Sequence, residues 1–449
     1  MCDVTRRGFL VGCSAAIAAL AGSRFNNLAF AQTPSPDQEV LVVVFLRGGM
    51  DGLNLLPVVG GADRGHYETA RPNLAIPVSG PGAALPLAGP FGLHPEAAPL
   101  LDLYQDGRLA IVHATGHEIA NRSHFESMEF LELGTPGIRT TTTGWLTRHL
   151  QSSAGLPDEV ILPSVSLGGV QQASLRGDRD TVNMSDPGVF RLNTGPWAWR
   201  SAQRTSLRRL YQADSSIVHV TGVQALDAVD VIELYASGDY VPSNGAVYPE
   251  GSFGDHLQVI ARMIKLQIGL HVATLDLGGW DTHANQEYPF NSLVGQLAQG
   301  LAALYADLDG AGAESHTQRL TVVVQSEFGR RFAQNADNGC DHGHGNPMLV
   351  LSGTALGGLH GVWPGLAPGQ LFEGLDLAVT TDYRRVLSEI LIRRLGNNRL
   401  GVVFPGYSGY TPMGVVSGPD LEPDYTGGSG QEIFSDGFES GDLSAWEVG

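Results

Sequence analysis

The sequence predicts an α/β fold: a doubly wound, mostly parallel sheet flanked by helices, with an inserted region. Two observations lead there. Residues 40–46, VLVVVFL, are an unbroken run rich in β-branched side chains, as expected of a strand buried on both faces. Similar runs recur at 108–114, 271–277, 319–325 and 347–353, and helical patterns separate them at 123–133, 253–269, 291–308 and 382–396. Sheets of this kind bind ligands at the carboxyl ends of their strands. The stretch from about 170 to 250 is polar, rich in Asp, Arg, Trp and Pro, and reads as a long irregular insertion or cap over the sheet.

In 449 residues, 43% are hydrophobic and only 16% charged, the composition of a globular chain with a sizeable core. Basic residues number 27 against 46 acidic ones, and a net charge of −19 argues against nucleic acid as a partner. At the N-terminus, Arg6 and Arg7 precede Phe9, Leu10 and a run of small apolar residues, with Ala29 and Ala31 where a signal peptidase reads. This is a twin-arginine export pattern over 1–31, and it predicts a periplasmic or secreted protein that meets the membrane only in transit. An apolar run of about 12 residues is too short to span a bilayer. Cys13 lies before that run, where a lipid-anchoring cysteine would follow it. Cleavage removes three arginines and one aspartate, so the charge becomes −19 − 2 = −21. It also removes Cys2 and Cys13, leaving Cys340 with no disulfide partner. A main domain over 38–416 is followed by a linker-like 417–432 and a short acidic tail, 433–449, bearing Phe434, Phe438 and Trp446.

The strong strands are followed by side chains that suit a metal. The first leads into RGGMDGLN, with Arg47, Asp51 and Asn54; 271–277 leads into GGWDTHANQ, with Asp281 and His283. After 319–325 come Glu327 and Arg330, then CDHGHGN, with Asp341, His342 and His344 within four residues. Carboxylates and imidazoles together suit zinc, manganese or iron. Each group alone has a plainer reading: Asp51 as a helix cap, Asp281 and His283 as a turn closure, Glu327 as the partner of Arg330 or Arg331. Ser123, after Arg122 and at a predicted helix start, suits an attacking hydroxyl beside a favourable helix dipole; with Glu126 it equally forms a capping box. His117 and Asn121 stand just upstream. His124, His219 and His256 fall within regular patterns and read as ordinary surface or core residues. The G-x-S-x-G elbow, the nucleotide-binding glycine loops and the C/S-x-P-x-R sulfatase stretch are absent.

The motifs RRGFL, LRGGMDGLN, NRSHFES, GGWDTHANQ, SEFGRR and DHGHGN, in that order, resemble the bacterial family catalogued as domain of unknown function 1501. That family is similar to the alkaline phosphatase superfamily of phosphatases, sulfatases and phosphomutases. The resemblance implies a metal-binding α/β sheet. It makes Asp51 the aspartate after the first strand, Asp281 and His283 an aspartate–histidine ligand pair, His342 and His344 neighbours of the last ligand histidine, and Ser123 the nucleophile. Glu327 stands where the superfamily has Asp-His, and Cys340 where an arginine is expected.

The expectation is an exported metal-dependent hydrolase acting on a small-molecule or polymer ester of phosphate or sulfate. Asp51, Asp281, His283, Glu327, Asp341, His342 and His344 would hold one or two divalent ions, zinc foremost. Ser123 would attack, Arg122 or Arg47 would steady the anion, and Asn54, His117 and Arg330 would touch substrate. Its rivals are a non-catalytic envelope protein that keeps the fold, and a polysaccharide-binding protein using Trp197 and Trp199.

Overall fold

A computed structural model describes residues 38–119, 121–154, 162–186, 199–233, 239–311 and 315–427. The export pattern, Trp197 and the C-terminal tail lie outside the described residues. A nine-stranded sheet forms the centre. Its strands are β1 (Val40–Arg47), β4 (Leu109–Gly116), β5 (Ser164–Leu167), β6 (Val182–Met184), β7 (Val272–Gly278), β8 (Leu320–Ser326), β9 (Asn346–Ser352), β10 (Gly358–His360) and β11 (Thr381–Asp382). A separate small hairpin pairs β2 (Leu85–Pro86) with β3 (Gly92–Leu93). The spatial order is β10-β4-β9-β8-β1-β7-β5-β6, with β11 also paired to β4.

β1 lies centrally between β7 and β8, parallel to both. Its alternate residues feed two cores. Val40, Val42, Val44 and Leu46 face one cluster, where Phe253, Leu257 and Ile260 of the helix Ser252–Leu266 meet Phe290, Val294 and Leu297 of Glu287–Leu308. Leu41, Val43 and Phe45 face the other, built on Trp145 and Leu146 of Trp145–Ser152 and on Val386, Leu387 and Ile390 of Tyr383–Arg393. Both faces are therefore covered, which is why the run lacks polar alternation. Among the described residues no helix is long and apolar enough to cross a membrane.

The sheet is mostly parallel, as expected: among the described strands β9 runs antiparallel to both β4 and β8, whereas the other pairings in the sheet are parallel. One expectation needs correction: the region from 170 to 250 is not irregular throughout. It contributes β6 and a pair of helices, Arg200–Tyr211 and Ile217–Val231, that pack on each other. Arg204 and Arg208 reach Asp227, Asp230 and Glu233 across the pair, so the helical signal here was charge spacing at three and four residues rather than an apolar stripe.

The antiparallel strand has a direct consequence for the site. In a fully parallel sheet, residues just before a strand lie at the amino edge, away from residues that follow the other strands. Because β9 is reversed, the segment between β8 and β9 begins and ends at the same carboxyl edge. That segment carries Glu327, Arg330, Asp341, His342 and His344. It folds back on itself, with Gly343 N donating to Gly329 O (2.9 Å), Gly329 N donating to His344 O (3.0 Å) and Arg330 bridged to His342. A Cβ on Gly343 would lie 2.4 Å from the Arg330 carbonyl carbon, so the glycines of CDHGHGN permit this close approach.

Candidate metal centre

Asp281 Oδ1 is the focus of a histidine cluster at the carboxyl edge. His283 Nε2 lies 3.0 Å from it, His342 Nε2 3.2 Å and His124 Nε2 3.2 Å. His283 Nε2 and His342 Nε2 are themselves 2.9 Å apart. One atom each from His124, Asp281 and His342 falls within a 4.8 Å span.

The far nitrogen of every ring is held by an oxygen. His124 Nδ1 meets Glu327 Oε1 at 2.6 Å, His283 Nδ1 meets Asp341 Oδ1 at 2.9 Å, and His342 Nδ1 meets the Arg122 carbonyl at 2.8 Å. Those oxygens accept only, so each Nδ1 carries a hydrogen, and whenever a ring is neutral its Nε2 presents a bare lone pair. With the rings neutral, three lone pairs and a carboxylate oxygen point at one another, and Arg330 Nη2 donates to Asp281 Oδ1 at 2.7 Å. His124 Nε2 is buried and has no hydrogen-bond partner. Such convergence of acceptors calls for a cation, and the oxygen-held imidazole is the arrangement that metal-binding histidines adopt. Ligand atoms on a tetrahedral zinc with bonds of about 2.0–2.1 Å lie about 3.3 Å apart, close to the separations found here. The residues fit a metal.

Each element places its ligand for a local reason. Asp281 and His283 follow β7, where Gly48 packs so closely on the Trp280–Asp281 peptide that a Cβ would sit 2.6 Å from Asp281 N. Glu327 directly follows β8, buried, accepting from Gly48 N (2.8 Å) and Ser326 Oγ (2.9 Å). His124 opens the helix His124–Leu133. Phe328 lines the inner side of the cluster, its ring 4.8 Å from that of His124 and 5.1 Å from that of His342. The outer side is open: the Asp281 side chain is 50% exposed and that of His283 43%.

Charge follows the same plan. Burial opposes ionisation of Asp281, yet the Arg330 guanidinium, with His342 and His124, holds its carboxyl well below the usual range. The hydrogen bond to Glu327 raises His124, whereas burial lowers His342. His283 holds Asp341 low.

Other expected site residues lie elsewhere or have different work. Asp51 is fully buried and bound to Arg71 (2.6 Å) and Gln286 (2.6 Å), outside the cluster; it braces the β1 loop. Asn54 accepts from Tyr67 Oη and Arg71 Nη1, both at 2.7 Å, and is equally structural. His344 is buried against Phe372 (4.2 Å between rings) with His117 beyond it at 6.4 Å, and burial pushes both imidazoles down to about 4. Neither belongs to the group around Asp281. Arg47 grips Glu132 with two donors (2.8 and 3.0 Å), and Arg122 pairs with Glu373 and Asp376, so both are already neutralised. Arg330 is buried and donates to the carbonyls of Gly48, Gly49, Trp280 and Cys340 as well as to Asp281, so it clamps the site. Ser123 occupies the N-cap position, but its side chain makes no capping bond; Glu126 binds Asn121 and Arg139 instead of closing a capping box. Its immediate neighbour His124, taken from the sequence as ordinary, is a member of the cluster. The signal for it was its place as the first residue of a helix that starts on the carboxyl edge.

An α/β sheet with helices on both faces and an acceptor-rich centre at its carboxyl edge defines the class. Residues 227–397 match the model of a family described as a protein of unknown function, DUF1501. The matched stretch includes Asp281, His283, Glu327, Asp341 and His342, while His124 and Ser123 lie before it. No curated protein matches the chain.

Proposed function

We propose that this protein is an exported hydrolase of the alkaline phosphatase type, dependent on a divalent metal and acting on a phosphate or sulfate ester. The observation that carries the reading is the convergence of three imidazole Nε2 atoms on Asp281 Oδ1. His124, Asp281 and His342 would hold the ion, with His283 as the next nearest ligand, and zinc suits this nitrogen-rich set best. When bound, such an ion supplies Lewis-acid charge stabilisation at an attacked or departing oxygen. Glu327, Asp341 and the Arg122 carbonyl fix the ring orientations, and Arg330 keeps Asp281 ionised. Ser123, next to His124 in the chain and not engaged as a cap, would supply the attacking hydroxyl.

The test is elemental analysis of protein purified without a metal-affinity tag, alongside an Asp281→Ala, His342→Ala variant. Near-stoichiometric zinc, manganese or iron that falls in the variant supports the centre and opens a screen of phosphate and sulfate esters. Equal metal in both, or none in either, removes it. A second reading, a metal-bearing envelope protein without catalysis, is favoured by one observation: Arg47, Arg122 and Arg330 are all neutralised. Full metal occupancy with no turnover of either ester class, and no change on Ser123→Ala, would select that reading.

A further inference from the structure

Arg331 differs from the three neighbouring arginines. Among the described residues its guanidinium has neither a hydrogen bond nor an ion pair, and its Nε is buried without a partner. Its backbone N donates to the Asp341 carbonyl at 2.9 Å, and its backbone bridges to Asp376. Its backbone thus runs beside Asp341, whose carboxylate orients His283, and Asp376, whose carboxylate neutralises Arg122. Its charge reaches both Asp341 and Asp376 without a close pair forming. With Nε buried and unpartnered, the fork of this guanidinium is free of protein acceptors, and it matches two oxygens of a tetrahedral oxyanion.

We infer that Arg331 is the oxyanion-binding residue beside the candidate centre, receiving the phosphate or sulfate group of the substrate. The inference rests on the metal-centre reading for its ligand class. It assigns substrate recognition to an arginine that sequence reasoning had placed only as a structural partner of Glu327, and takes it from Arg47, Arg122 and Arg330.

The experiment is calorimetric titration of the metal-loaded protein with inorganic phosphate and, separately, with sulfate. Wild type, Arg331→Gln and Arg331→Lys are compared, with metal content measured on each. The expected result is oxyanion binding by wild type, weakened at least tenfold in Arg331→Gln at unchanged metal content. Arg331→Lys should recover part of it, since lysine keeps the charge but not the fork. Binding of phosphate alone points to phosphate esters, and of sulfate alone to sulfate esters. Wild-type affinity in Arg331→Gln with metal retained overturns the inference and leaves the metal centre standing, as does failure of metal-loaded wild type to bind either ion. Arg331-dependent binding by protein that holds no metal supports the inference while removing the metal centre. Should Arg331→Gln not fold, Arg331→Lys decides: reduced affinity supports the assignment, and wild-type affinity overturns it.

Discussion

At the scale of single residues, the candidate centre depends on oxygens that never touch the cluster's focus. Glu327 Oε1 serves His124 Nδ1 and Gly48 N together, so one buried carboxylate orients a ligand and ties β8 to the β1 loop. Glu327→Gln keeps an acceptor but removes the charge. It should weaken metal binding roughly 10–100-fold, read by competition with a chelator of known affinity. An unchanged affinity would reduce Glu327 to a structural brace. Gly48 has φ +118 and no room for a Cβ against Asp281 N. Gly48→Ala should cost about 1–3 kcal/mol in denaturant unfolding and lower metal occupancy as well, because relief of the clash moves Asp281. Loss of stability with full occupancy would show that the Asp281 peptide does not transmit the strain.

The element scale shows how packing dictates protonation away from the centre. His149, on the helix Trp145–Ser152, and His271, just before β7, are buried with Nε2 atoms 3.1 Å apart. Asn397 Nδ2 donates to His149 Nδ1 at 3.0 Å, so His149 donates through Nε2 to His271, whose Nδ1 donates to the Glu39 carbonyl at 2.8 Å. A proton added to either ring would face a donor. Burial therefore holds His149 well below its usual range and His271 at about 4. The unfolded chain binds these protons near pH 6.5 and the folded chain does not, so stability rises with pH across this interval and is lost as pH falls from about 6.5 towards 4. The loss should approach about 3 kcal/mol for His271 by pH 4, measured by urea unfolding at several pH values. His149→Gln, His271→Gln protein should be less stable at pH 8 but lose less on acidification. An equal slope in both proteins would refute the account.

For the whole molecule, a ligand that binds only the folded state stabilises it by mass action. Metal at about 100 times its dissociation constant should add about 2.7 kcal/mol, so chelator should lower Tm and added zinc restore it. The Asp281→Ala, His342→Ala variant should not respond. An identical chelator shift in both proteins would place the stabilising ion elsewhere. This coupling is expected because the ligands come from three distant parts of the chain: the start of His124–Leu133, the turn after β7, and the segment between β8 and β9.

Much of this was legible in the sequence. The buried strands, the four helical patterns and the candidacy of Asp281, His283, Asp341 and His342 all follow from local chemistry: apolar periodicity for the elements, and polar residues at strand ends for the candidate site. Three features were decided only by tertiary structure. The reversal of β9 brings CDHGHGN to the carboxyl edge, and no local pattern encodes strand direction, since a strand buried on both faces is apolar whichever way it runs. His124 looks like any helical histidine until the fold sets its Nε2 beside Asp281. Asp51, Asn54, Arg47 and Arg330 carry the right chemistry for a site, but each is already bound by partners that brace the fold. Periodicity depends on neighbours in the chain and is written there; which charges are already satisfied depends on neighbours in space, and only folding determines those.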